Sequence, residues 1–85
     1  MRAVFTAEFE KRLRKKEPRQ REAVKKCVKR LLTDRDHPGL NIHKMRGRGD
    51  IWEAYVDKGN RVTFQWEGDT FIFRVNCNHD ILRKP

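Results

Sequence analysis

What the sequence lacks narrows its reading first. No run approaches the roughly 20 consecutive apolar residues that a membrane-spanning helix requires. The opening Met1-Arg2-Ala3-Val4-Phe5-Thr6 has no long apolar core of the secretory kind. The expectation is a soluble cytoplasmic protein that does not enter a membrane. Cysteine is scarce: Cys27 and Cys77 are far apart and form no Cys-x-x-Cys, which points to neither a disulfide framework nor a redox pair. Cys77-x-His79, even with His37 or His43, is too thin a ligand set to predict a metal site, and no cofactor is expected. Internal repeats and low-complexity stretches are also missing. Acidic residues are in the minority, 12 against 21 Lys and Arg, for a formal net charge of +9. Such an excess favours a polyanionic partner, nucleic acid first and an acidic protein second. With 85 residues, 36% hydrophobic and 39% charged, the chain is read as one domain over 1–85 with a thin core.

What is present is ordered along the chain. A short strand from about Arg2 to Phe5 leads to Thr6, an N-cap for a helix from Ala7 to about Lys16, with Glu8 at its positive end. Phe9 and Leu13 form a narrow apolar stripe on it. Pro18 suits the first turn of a second helix reaching Thr33. Val24, Cys27, Val28, Leu31 and Leu32 recur on it at helical spacing, opposite a face of Arg21, Lys25, Lys26, Lys29 and Arg30. After the breaker cluster Asp34-Arg35-Asp36-His37-Pro38-Gly39 the period changes from helical to alternating. Asn41 to Met45 reads as a strand and Arg46-Gly47-Arg48-Gly49-Asp50 as a loop. Three strands follow, separated by turns at Lys58-Gly59-Asn60 and Glu67-Gly68-Asp69. The expected fold is α+β: a short N-terminal strand and a helical hairpin packed on a twisted antiparallel sheet of about four strands.

Parity along these strands decides where chemistry can occur. If Trp52, Ala54, Val56, Val62, Phe64, Trp66, Phe71, Phe73 and Val75 face the core, then Glu53, Tyr55, Arg61, Thr63, Gln65, Ile72, Arg74 and Asn76 share the open face. That face is a polar, cationic groove floored by strands. RNA is cut without a metal when one group takes the 2′-hydroxyl proton, another protonates the leaving 5′-oxygen and a cation stabilises the phosphorane. His79 is the obvious proton carrier, since histidine titrates near working pH. Arg61 fits as a phosphate clamp, with its planar fork and permanent charge, although a sheet-edge ion pair with Glu53 or Asp57 would account for it equally. Tyr55 suits stacking on a base or donating to a phosphate, and Glu53 a second proton carrier or a partner for Arg61. His43 on its strand can face the groove. Asp80 reads as an anchor for the tail.

At these residues the chain resembles the RelE/ParE toxin superfamily, most of all its members with a terminal His-Asp. The resemblance covers nearly the whole chain and rests on His37-Pro38-Gly39-Leu40-Asn41, Lys44-Met45-Arg46-Gly47, Asn60-Arg61-Val62 and Asn78-His79-Asp80. It implies a toxin of a type II toxin–antitoxin system, a ribosome-dependent endoribonuclease that cleaves mRNA and is held in check by an acidic cognate antitoxin. By motif match Arg61 takes the place of the RelE strand arginine. His79 takes the place of a histidine in YoeB-like members and of an arginine in RelE. Where RelE carries two lysines on a strand, this chain has Glu53 and Tyr55, so the general base stays open among His43, Glu53 and Asp80. The candidate catalytic set is therefore Arg61, His79, Glu53 and Tyr55, and the candidate RNA contacts are His43, Lys44, Arg46, Arg48, Arg74 and Asp80. The ParE branch, which inhibits DNA gyrase without cutting RNA, and an inactive antitoxin-binding remnant are the alternatives.

Overall fold

Thr6 joins the first strand to the first helix and fastens both to the far end of the chain. Its hydroxyl accepts the Phe9 amide at 3.1 Å, capping the helix, and donates to the Arg74 carbonyl at 2.6 Å, while its amide reaches the Phe73 carbonyl at 3.0 Å. In the computed structural model the residues described are 2–45, 47 and 49–78, the last two by backbone alone. The elements are β1 (Arg2–Phe5), α1 (Ala7–Arg14), α2 (Pro18–Thr33), a 3-10 turn (Pro38–Leu40), β2 (His43–Lys44), β3 (Ile51–Asp57), β4 (Asn60–Glu67) and β5 (Thr70–Asn78).

The sheet has five strands in the order β1-β5-β4-β3-β2. The four later strands are antiparallel neighbours, as expected from their short turns, and the N-terminal strand joins them as a fifth, parallel to β5 with Arg2 opposite Thr70 and Phe5 opposite Phe73. Gly68, at φ 59° between β4 and β5, supplies the left-handed backbone of that tight turn. Both helices lie on one side of the sheet. Phe9 from α1 and Val24, Cys27, Val28 and Leu31 from α2 are buried with Ala54, Val62, Phe64, Phe71 and Phe73 from the strands. Phe64 and Phe71 meet edge to face at 5.3 Å, and Trp52 and Trp66 pack the same way at the margin of the core, 5.9 Å apart. The helical spacing and the Pro18 start of α2 are as the sequence indicates, and α1 ends two residues before Lys16, where Lys15 closes it. No helix among the described residues is long and apolar enough to cross a membrane.

Two expectations about strands are corrected. The run from Asn41 to Met45 pairs over His43 and Lys44 only, because Asn41 takes a left-handed conformation, φ 45°, as it leaves the 3-10 turn. Consequently β2 covers β3 only opposite Trp52 and Glu53. In β5 the simple alternation fails at a bulge: Thr63 pairs with Val75 but Phe64 pairs with Phe73, leaving Arg74 extra. Beyond the bulge the faces exchange. Val75 moves to the open face opposite Thr63, and Asn76 turns inward, 1% exposed, with its Nδ2 donating to the Phe9 carbonyl at 2.8 Å.

Candidate active site

The open face is assembled by register. His43 on β2 stands opposite Glu53 on β3, Glu53 opposite Thr63 on β4, and Tyr55 opposite Arg61. Direct antiparallel partners bring side chains on one face within contact range, and here they make a three-residue cluster. Glu53 Oε1 lies 3.4 Å from His43 Nε2 and 3.6 Å from Arg61 Nε. The carboxylate was expected on an open groove floor; it is buried instead, 6% exposed, because His43 and Arg61 close over it from either side. Thr63 is buried beside it, and its hydroxyl donates to the Val75 carbonyl at 3.4 Å.

Arg61 is held by more than one restraint. Its Nη1 donates to the carbonyls of Asp57 and Asn60, at 2.7 and 2.9 Å, and its guanidinium lies over the Tyr55 ring, 4.6 Å from the centroid. Of the two sheet-edge partners anticipated from the sequence, Glu53 is its ion-pair partner, while Asp57 meets it only through the backbone. The Asp57 carboxylate serves the turn, accepting from the Gly59 amide at 3.0 Å and from Asn60 Nδ2 at 2.9 Å. Asn60 in turn accepts from Lys16 Nζ at 3.1 Å, tying the end of the helical hairpin to the start of β4. The sequence marks Asp57 as a candidate ion-pair partner and Asn60 as the end of the Lys58-Gly59-Asn60 turn, but not that the carbonyls of both would aim an arginine.

His43 is half-exposed, with Nδ1 at 3.0 Å from the Asn41 carbonyl and Nε2 facing Glu53. Both ring nitrogens therefore face oxygen acceptors: a neutral ring can donate to one of them, a protonated ring to both. Tyr55 is half-buried, and its carbonyl accepts from the Cys27 thiol at 3.5 Å. Burial pushes that thiol up from 9.0 to about 12, against the opposing pull of nearby Arg30. Lys44 lies 3.5 Å from Asp50 at the exposed margin, and Arg74, on the bulge, donates to Gln65 Oε1 at 3.1 Å. Neither is among the side chains paired with Glu53. Arg46, Arg48, His79 and Asp80 lie outside the described residues. Among the described residues no group of three or more His, Cys, Asp or Glu side chains is arranged to hold a metal ion.

A helical hairpin on one side of a five-stranded sheet is the fold of the RelE/ParE-like toxins. Solved structures share it across almost the full length. The YoeB/ParE toxin from Agrobacterium tumefaciens is 12% identical, with a TM-score of 0.78 over 93% of this chain and 99% of its own. RelE in the RelB-RelE antitoxin-toxin complex from Methanococcus jannaschii is 20% identical, with a TM-score of 0.75 over 94% of each chain. YafQ from E. coli is 13% identical, with a TM-score of 0.78 over 96% of this chain and 98% of its own. No protein-family model matches the sequence, and no curated protein matches it. At these identities it is the fold that is shared.

Proposed function

We propose that the chain is the toxin of a toxin–antitoxin pair and acts in the cytoplasm as a ribosome-linked endoribonuclease on mRNA. The observation that carries this reading is the Glu53 carboxylate held between His43 and Arg61 on the open face of the sheet. Both contacts fall on Oε1, so Oε2 remains to accept a proton. In this reading Glu53 takes the 2′-hydroxyl proton, the 2′-oxygen attacks phosphorus, and the bond from phosphorus to the 5′-oxygen breaks, giving a 2′,3′-cyclic phosphate and a 5′-hydroxyl. Arg61, aimed by the Asp57 and Asn60 carbonyls, stabilises the charge that gathers on the phosphorane. His43 holds Glu53 in place. His79 protonates the leaving oxygen; it follows Asn78, whose backbone pairs with Asn60 next to Arg61. Tyr55 supports the arginine and offers its edge to a base. Arg46, Arg48, Lys44, Arg74 and Asp80 serve as outer contacts to RNA.

The antitoxin is the second part of the proposal. Phe5, Phe9, Leu13, Val24, Val28 and Leu32 line an open apolar groove of about 440 Å³ between β1 and the two helices, flanked by Lys25 and Lys29. That pairing of an apolar floor with a cationic flank suits an apolar segment of an acidic partner, and the archaeal relative is itself solved as an antitoxin-toxin complex.

Mapping of mRNA 5′ ends after brief induction tests the enzyme. New ends in reading frames are expected from the wild-type chain, reduced about a hundredfold or more by Glu53→Gln, Arg61→Ala or His79→Ala. Growth arrest without new ends would instead assign the chain to a binding target such as gyrase.

A further inference from the structure

The basic face of α2 is not uniform. Where it meets the outer edge of β3 it forms a pocket of about 350 Å³, lined by Lys26, Cys27, Arg30, Gly39, Leu40 and Tyr55 among others. Lys26 and Arg30 are four residues apart and so lie on one side of the helix, where like charges repel unless an anion stands between them. Among the described residues neither has an ion-pair partner, whereas Lys25 has Glu22 and Lys44 has Asp50.

The other wall is an unusual piece of backbone. Because β2 stops after two residues, β3 has no strand partner beyond Glu53 on that side among the described residues. The Tyr55 carbonyl points out at this edge, where the Cys27 thiol donates to it at 3.5 Å. A strand residue presents its amide on the same edge as its carbonyl, so an N–H donor stands beside the two cations, while the oxygen that would repel an anion is engaged by the thiol. With its thiol pKa raised to about 12, Cys27 stays protonated and keeps that role across the physiological range. Tyr55 also carries Arg61 on its ring at 4.6 Å. Tyr55 therefore both lines the pocket and touches Arg61 of the proposed active site.

We infer that the pocket of Lys26, Arg30 and the Tyr55 edge is a subsite for a backbone phosphate of single-stranded RNA, anchoring the strand beside the Arg61 centre. The inference rests on the reading that this face acts on RNA, and it adds a contact that the chemistry itself does not use. A phosphate held there restricts the strand to lie across Tyr55 and presents a neighbouring phosphodiester to Arg61 and Glu53. An acidic protein segment is the competing occupant; the mixed floor of backbone and short side chains, with Tyr55 shared between the pocket and Arg61, favours a nucleic-acid strand.

The test uses the full chain and a fluorescently labelled 2′-O-methyl oligoribonucleotide, which lacks the attacking hydroxyl, with binding followed by anisotropy across a salt series. Lys26→Gln/Arg30→Gln is expected to weaken binding about tenfold or more and to flatten the log–log salt slope by about 0.7, the contribution of one phosphate on a single strand. Lys11→Gln/Arg14→Gln, an equal loss of charge on the exposed part of α1, is the control and should change binding much less. Equal losses in the two pairs would overturn the subsite in favour of overall charge. So would unchanged RNA binding by the Lys26/Arg30 variant, including the case in which that variant loses binding to polyglutamate instead. If the wild-type chain cleaves mRNA while the Lys26/Arg30 variant binds and cleaves normally, only the subsite fails. If the wild-type chain neither binds RNA nor cleaves it, the proposed function fails with it.

Discussion

The two faces of the sheet are made from alternate residues of the same strands, yet they exclude water by opposite means. On the helix side Phe64, Phe71 and Phe73 are sealed by apolar groups from α1 and α2, and nothing there depends on charge. On the other side no helix among the described residues lies over Glu53 and Thr63, which are nevertheless buried, because neighbouring polar side chains lean across them. The first face is held by area and shape. The second is held by a few oriented contacts, each of which leaves an unpaired group behind when it is removed. On the function proposed above, stability and chemistry are thereby separated across one layer of backbone.

The sharpest way to test that separation is to damage each face in turn. Phe64→Ala should cost about 3–5 kcal/mol, a large share of the stability of a domain this size, and should appear in urea denaturation as a much lower midpoint or as failure to fold. Glu53→Gln should cut RNA cleavage about a hundredfold, equivalent to about 2.7 kcal/mol in the barrier, with a midpoint shift far smaller than that of Phe64→Ala. A Glu53→Gln chain that unfolds would mean that the open face also carries the fold.

Asn76 blurs the boundary, being a polar residue on the apolar side. Asn76→Ala removes the bond to the Phe9 carbonyl and should cost about 1–2 kcal/mol by denaturation, with cleavage retained. The smallest effect is expected at Cys27, whose thiol is raised from 9.0 to about 12 in the folded chain. Between those values the unfolded chain gives up the proton and the folded chain keeps it, so this component of stability is intact below about pH 9 and declines as pH rises through the window. The difference between the wild-type chain and Cys27→Ala, followed by denaturation from pH 8 to pH 11, isolates it from the lysines and tyrosine that titrate in the same range.

Much of the architecture was legible because it follows from period and punctuation. The Thr6 cap, the Pro18 start and the spacing of Val24, Cys27, Val28 and Leu31 mark the helices, and the alternation around Trp52, Val62 and Phe64 marks the sheet and its buried side. The bulge at Arg74 was not legible, since one extra residue leaves no compositional sign and depends on the Thr6 junction gripping the Phe73 and Arg74 carbonyls. Arg61 and Glu53 stood out by residue type and parity. That His43 would complete their cluster needed the register of three strands at once, which no local pattern encodes. The hold on Arg61 was hidden for a related reason, because its anchors are backbone carbonyls rather than side chains.

The pairing of β1 with β5 has a consequence for the order of events during synthesis. Arg2 faces Thr70 and Phe5 faces Phe73, so the first strand made is a partner of the last, and Thr6 cannot complete its bonds until residues 73 and 74 exist. The helices can form early from local contacts, but closing the sheet joins opposite ends of the chain and is the slower step. A nascent copy therefore lacks its β1–β5 edge until residues 70 to 74 have left the ribosome. On the function proposed here, a copy still short of β5 has no finished sheet on which to act, since β5 is what joins β1 to the strand of Arg61.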